Sequence, residues 1–173
     1  MMLEVAILLI YQMVQKVLNR IKKLLFMLAN DGTGAPNVSH LATEVQTSRT
    51  TVMNYMKFLS DARLISLVYR KGEEFPKKPA RLLLHNTNLM HGLLPGRVNR
   101  QDMIDSFFQN AVCGKHKVSV GDRSSTYILD GTLRFRLLSE VPRRKSTDVI
   151  YVCSDRLQGE GQEIPLWMFG LLY

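Results

Sequence analysis

The residues best suited to contact a ligand lie at Ser48-Arg49-Thr50-Thr51, Asn54 and Lys57. Hydroxyl, guanidinium, amide and ammonium groups at the start of a helix are the types that bind phosphates and base edges. Lys77 and Lys78 add a second basic pair 20 residues further on, with Glu73 and Glu74 close by. A second constellation consists of Asp105, Asp122 and Asp130 with Arg134 or Lys117. Carboxylates on a helix and adjoining strands, beside a basic residue, can hold a divalent metal for phosphodiester cleavage. Asp122 and Asp130 each adjoin a glycine, however, and aspartate is favoured at such turns for backbone reasons alone. The spacing therefore assigns no metal site and no catalytic residue.

Other chemistry is missing from the sequence. It has no Gly-x-x-x-x-Gly-Lys-Ser/Thr phosphate loop and no dinucleotide fingerprint, so no small-molecule cofactor is expected. His40, His85, His91 and His116 share no ligand spacing, and no nucleophile elbow or Cys-His pairing is suggested. Cys113 and Cys153 fit neither a disulfide framework nor a zinc site, which makes a reducing cytoplasm the simplest location.

The basic residues need elements to present them. Ser39 is expected to cap a first helix with Leu41, Ala42 and Val45 on its inner face. Ser48 caps a second, along which Val52, Tyr55, Met56 and Leu59 recur at helical spacing. Only Gln46-Thr47 links the two, so they must cross steeply. Leu64 to Tyr69 then reads as a strand, Lys71 to Pro79 as a polar turn and Arg81 to His85 as the returning strand. Helix, helix, strand, turn, strand is the order of a winged helix-turn-helix, in which the basic turn can touch nucleic-acid backbone.

Upstream, Val14, Val17, Leu18, Ile21, Leu24, Leu25 and Leu28 form a helical stripe, with Lys16, Arg20, Lys22 and Lys23 mostly outside it. Such a stripe is expected to cover the core rather than lie on a membrane. The run Val5 to Tyr11 is too short to span a bilayer, and Glu4 stands where a signal peptide would be basic. This opening in mid-pattern suggests a C-terminal fragment of something longer.

Downstream, Asn86-Thr87-Asn88 caps a short helix, and Leu94-Pro95-Gly96 marks a boundary between a first part, 1–94, and a second, 95–173. The second part should hold a helix over Arg100 to Val112, with Met103, Ile104, Phe107, Phe108 and Ala111 inward. Strands follow at 117–120, 125–129, 133–138 and 148–153, with a basic loop at Arg143-Arg144-Lys145. The apolar tail 164–173 should pack back onto the sheet. The net charge is +8. The first 91 residues hold 12 Lys/Arg against 6 Asp/Glu, and the remainder 11 against 9. The excess favours a polyanionic partner for the first part.

Read whole, the chain resembles the C-terminal region of a bacterial family of AAA-superfamily ATPases. In that family a P-loop domain is followed by a winged helix and a small restriction-endonuclease-like α/β domain. The resemblance rests on Asn37-Val38-Ser39-His40-Leu41-Ala42, Ser48-Arg49-Thr50-Thr51-Val52 and Leu59-Ser60-Asp61-Ala62-Arg63-Leu64-Ile65. More specific are Asn86-Thr87-Asn88-Leu89-Met90, Phe107-Phe108-Gln109-Asn110 and Ile164-Pro165-Leu166-Trp167-Met168-Phe169-Gly170. It implies an α+β protein with both modules, and DNA or an ATPase domain as partner. The P-loop domain is absent, so no ATP binding is implied. The family's Phe-Glu-Val-Gly-Gly-Lys is here Tyr127-Ile128-Leu129-Asp130-Gly131-Thr132, with Ile128 for the glutamate and Thr132 for the lysine. A nuclease-like domain without nuclease activity is the expectation.

Overall fold

A computed structural model describes residues 2–122, 125–138 and 145–172, with side chains from Ile7 onward. The expected Arg143 and Arg144 lie outside the described residues. The chain is α+β. Its elements run α1 (Met2–Asp31), α2 (Val38–Glu44), α3 (Arg49–Asp61), β1 (Ile65–Val68), β2 (Arg81–Leu84), α4 (Thr87–Leu93) and α5 (Arg100–Cys113). Then come β3 (Val118–Val120), β4 (Tyr127–Leu129), β5 (Leu133–Leu138), β6 (Ile150–Cys153), β7 (Glu163–Pro165) and a closing 3₁₀ helix, Leu166–Leu172.

Local sequence accounts for most of the helix ends. The Asn37 side chain accepts from the His40 backbone N–H and caps α2, displacing the expected cap Ser39 into the helix itself. Ser48 caps α3 as expected, its Oγ accepting from the Thr51 N–H at 3.1 Å. Asn86 and Asn99 cap α4 and α5 in the same way. Between α2 and α3 the chain turns at Gln46, whose φ is +53°. The Thr47 N–H returns to the Ala42 carbonyl at 2.9 Å.

The first core gathers Leu24 and Leu28 of α1 with Leu41, Ala42 and Val45. It also takes Val52, Tyr55, Met56 and Leu59 of α3, Ile65, Leu82 and Leu84 of the hairpin, and Met90. The α1 stripe is only half used. Leu24 and Leu28 are buried, whereas Val14, Val17 and Leu18 stand exposed. The periodicity marks the apolar face correctly but not where the core beneath it ends.

β1 and β2 pair antiparallel, with Ser66 opposite Leu83 and Val68 opposite Arg81. Their alternate side chains serve two cores. Ile65, Leu82 and Leu84 belong to the first, while Val68 and Leu83 join a second built on α5. That second core holds Ile104, Phe108, Ala111 and Val112 of α5 against Tyr127, Leu129, Phe135, Leu137, Val152 and Phe169. Met103 and Phe107, expected inward, are half-buried. The five-stranded sheet runs β3-β4-β5-β6-β7, antiparallel through β5 and parallel from β5 to β7. β7 is an addition to the sequence reading. It places Glu163, a buried residue, beside Tyr151. The tail folds back through Phe169, yet Trp167, Met168 and Leu171 remain exposed.

Polar contacts bind the two cores. The fully buried Asp105 of α5 receives Arg81 of β2, Nη2 to Oδ2 at 3.3 Å. The Arg81 guanidinium also lies 5.2 Å from the centre of the Tyr127 ring, and that ring stacks on Phe108. Asp105, weighed above as a metal ligand, is thus an internal counter-ion. Burial raises its pKa, and Arg81 works against that rise. Elsewhere, Asp102 of α5 accepts from the Thr33 hydroxyl at 2.5 Å. Gly32 passes so close that an added Cβ would meet Asp102 Oδ2 at 3.1 Å, and its φ of +69° also favours glycine.

Removing one partner of a buried ion pair leaves a naked charge and typically costs several kcal/mol, whereas replacing both by apolar groups can be neutral. Arg81→Ala should therefore destabilise the chain by about 3 kcal/mol. The double variant Arg81→Met/Asp105→Leu should recover most of that loss, as read by urea unfolding. Equal losses in the single and double variants would show that the pair does not act as a unit.

Candidate nucleic-acid interface

The Ser48 cap sets the first turn of α3 and so aims the residues that follow. Val52, Tyr55, Met56 and Leu59 face the core, which turns Arg49, Thr50 and Asn54 outward, all three exposed. Thr51 is half-buried, and its hydroxyl shares a 2.8 Å hydrogen bond with Ser48 Oγ. These two residues build the helix start and are partly spent in doing so. Lys57 is half-buried and pairs with Asp61 one turn on, which draws its charge toward the C-terminal end of the helix.

The loop from Tyr69 to Ala80 closes on the Ala80 N–H to Val68 carbonyl bond at 3.0 Å. Two inner turns follow Arg70 and Glu74. The loop rises beside α3. An open groove of about 270 Å³ lies between them, lined by Val38, Arg49, Thr50, Met53, Asn54, Phe75, Pro76 and Lys78. The structure thus joins Arg49, Thr50, Asn54 and Lys78 in one concavity, and no residue beyond 94 lines it. Lys77 points elsewhere. It faces Glu73 at 3.5 Å and lines a neighbouring cleft with Arg70 and Lys78. Arg70, exposed at that cleft, and the apolar floor of Met53 and Phe75 are additions to the sequence reading. Arg70 could have been found from its place at the strand end. The floor could not, because it depends on how the loop folds over.

The carboxylates behave differently. Asp122 accepts from the Ser125 N–H at 3.1 Å and meets Arg134 at 3.2 Å. Asp130 sits at the β4–β5 turn with a φ of +52°. Its carboxylate accepts from the Lys117 N–H at 2.9 Å and meets His116 Nδ1 at 2.7 Å. The carboxylate is thus spent on the 116–117 segment alongside rather than on its own turn. With Asp105 inside the protein, the three acids have three separate sets of partners. Among the described residues no three His, Cys, Asp or Glu side chains gather as a metal site.

Another cleft, of about 500 Å³, runs between the hairpin and the end of α5 and includes Arg63, Ser66, His85, Cys113 and Lys115. His85 Nδ1 is bound to Ser66 Oγ at 2.9 Å, and burial, helped by Arg63, lowers its pKa. Burial raises that of the Cys113 thiol, which keeps it from acting as a ready nucleophile. Among the described residues no helix is long and apolar enough to cross a membrane.

The His116 and Lys117 contacts depress the Asp130 pKa. A carboxylate depressed on folding adds stability above its unfolded pKa and loses it as the pH falls through the folded value. Asp130→Asn keeps a residue tolerant of positive φ and removes the charge. The wild type should therefore exceed this variant in urea unfolding near neutral pH, and the advantage should begin to fall at about pH 4 and vanish once the pH has dropped through the depressed folded value. An advantage that persists in acid would assign it to something other than the charge. Comparison of the chain with protein-family models, with curated proteins and with solved structures returns no match.

Proposed function

We propose that residues 1–94 form a winged helix that binds nucleic acid, DNA first, through the groove between α3 and the β1–β2 loop. On this reading α3 is the recognition helix and the loop is the wing. The second part, 95–173, is a restriction-endonuclease-like module without catalytic function, as in a relative of the AAA ATPases. The observation carrying this reading is the convergence of Arg49, Thr50, Asn54 and Lys78 on one uncovered concavity. Helix-start residues and a basic loop together can place a backbone phosphate and a base edge at once. The uneven charge, +6 over the first 91 residues by the count above, supports the same side as the binding face. For the second part, the support is an order of one helix, three antiparallel strands and a parallel fourth, with Ile128 and Thr132 where the acid and the lysine would stand.

A second reading, a protein-interaction module for an ATPase domain or another partner, is favoured by one feature. Phe58, one turn beyond Asn54 on the open side of α3, is 60% exposed. Bare aromatics of this kind anchor protein contacts better than phosphates.

Fluorescence polarisation with a labelled duplex separates the two. Four to six phosphate contacts should cost roughly a hundredfold or more in affinity between about 50 and about 200 mM salt. Arg49→Ala and Lys78→Ala should each weaken binding about tenfold and flatten the salt slope by about one. Lys57→Ala should do little, because Lys57 is already paired. No binding at low salt, with Phe58→Ala abolishing capture of a protein partner instead, would decide for the second reading.

Plasmid incubated with magnesium or manganese should remain intact. Asp130 is already committed to Lys117 and His116, and Asp105 to Arg81. Cleavage that disappears in Asp130→Ala would replace the binding reading by a metal-dependent nuclease.

A further inference from the structure

The N-terminal half of α1 carries an apolar seam that its own chain does not cover. Ile7, Ile10, Val14, Val17, Ile21, Leu24 and Leu28 follow one another at intervals of three and four. That is an unbroken heptad pattern, the signature of a helix that packs along one stripe throughout. The burial is not continuous. Leu24 and Leu28 are 0% and 2% exposed, whereas Ile7, Ile10, Val14 and Val17 are 59%, 62%, 56% and 40% exposed. The seam passes out of the core without changing its pattern. Tyr11, Met13 and Leu18 flank it and are also exposed.

We propose that this half of α1 pairs with the same segment of a second copy of the chain, antiparallel, in a short two-stranded coil. Three observations choose that occupant and that direction. The seven exposed side chains, Ile7, Ile10, Tyr11, Met13, Val14, Val17 and Leu18, at roughly 80 to 100 Å² each, would remove about 560 to 700 Å² per copy, a total at the lower end of the range of stable interfaces. Charge does not oppose self-pairing. Lys16 is the sole charged residue from 5 to 19, and it lies with Gln12, Gln15 and Asn19 on the side away from the seam, where Leu8 and Leu9 also stand exposed. The same shortage of Lys and Arg sets the segment apart from a helix that lies on an anionic bilayer, whose polar face is strongly charged.

The direction follows from what occupies the seam further on. At Ile21 to Leu28 it is filled by β2, α4 and the rest of the first core. A parallel second helix would have to run into that space. An antiparallel one leaves in the opposite direction, away from the first core. It sets Ile7 against Val17 and Ile10 against Val14 of the other copy, four layers over about 15 Å of helix. Each layer then joins a position of one heptad class to one of the other, as antiparallel coils require. The inference stands independently of the nucleic-acid reading, since the groove at α3 takes no residue from this segment.

Sedimentation equilibrium of the full chain between about 1 and about 100 µM tests it, a range suited to a short coil of micromolar affinity. The mass should rise from 19.8 kDa toward twice that value. Val14→Lys should weaken association at least about a hundredfold. Its unfolding midpoint at low concentration should not change, because Val14 is outside the first core. Ile10→Cys mixed with Val14→Cys should give the mixed disulfide pair. Cross-linking of Ile10→Cys with itself alone would mean a parallel pair and overturn the direction. A wild type that stays at 19.8 kDa would overturn the inference, whether or not it sediments with vesicles of anionic lipid. So would a Val14→Lys variant that still doubles its mass.

Discussion

The ion pair between Arg81 and Asp105 sits where both halves of the chain meet a charge they cannot expel. Asp105 has no exposed surface, and Arg81 reaches it from a hairpin whose opposite face is committed to another core. Shifting β2 by one residue would send Leu82 to the α5 side and Arg81 into the first core. The pair therefore fixes register as well as charge. It is also incompletely bonded: Asp105 Oδ1 and the Tyr127 hydroxyl are both buried, and neither has a partner in hydrogen-bond geometry among the described residues. Each is still near enough to shift the other's acidity, and burial before all else pushes the Tyr127 hydroxyl's pKa well up. Such a cluster is costly next to an apolar filling, so its contribution here is to specify one arrangement rather than to stabilise it.

The β1–β2 hairpin is the structural consequence. Two strands of four residues would be marginal alone. Here both faces are covered, and both edges are engaged. Gly34 bridges to Leu82 on one side and Tyr69 to Ser119 on the other, the Val120 N–H reaching the Tyr69 carbonyl at 2.9 Å. The hairpin remains a sheet of its own, tied to β3 of the five-stranded sheet by that isolated bridge. Lys71 Nζ adds a bond to the Gly131 carbonyl at 3.3 Å, tying the base of the loop to the β4–β5 turn.

This explains which parts of the fold the sequence made legible. Ser48 announced a helix start because a hydroxyl before an apolar helical pattern has a local job, and the job is done locally. Asn37 outcompeted Ser39 for α2 because the asparagine stands one residue before the helix begins, a choice that pattern alone leaves open. The role of Asp105 was hidden, since its partner lies 24 residues away on a strand and helical spacing alone does not reveal that both sides of α5 are covered. β7 was hidden too. A three-residue strand with a glutamate as its first residue does not look buried until Lys145 and Arg156 are placed around that carboxylate. Among the candidate contact residues, the exposure of Arg49, Thr50 and Asn54 followed from the inward set on α3. The separation of Lys77 from Lys78 did not, because it depends on the loop's own turns.

The position of the groove follows from the same constraint. α3 is held by Val52, Tyr55, Met56 and Leu59 against a core that includes Ile65, Leu82 and Leu84. The loop leaves the hairpin at Val68 and returns at Ala80, where the bond between those residues fixes its neck. Helix and loop are therefore both referenced to one pair of strands, and the groove between them inherits the rigidity of that pair. Half-buried Met53 and Phe75 supply the apolar lining of the groove, and the exposed Arg49, Asn54 and Lys78 its polar rim. A rim of this kind is preorganised: a ligand that meets it needs to order a few side-chain ends and little backbone, which lowers the entropic cost of binding. What reaches the rim is decided by the register of β2, and so by Arg81 finding Asp105.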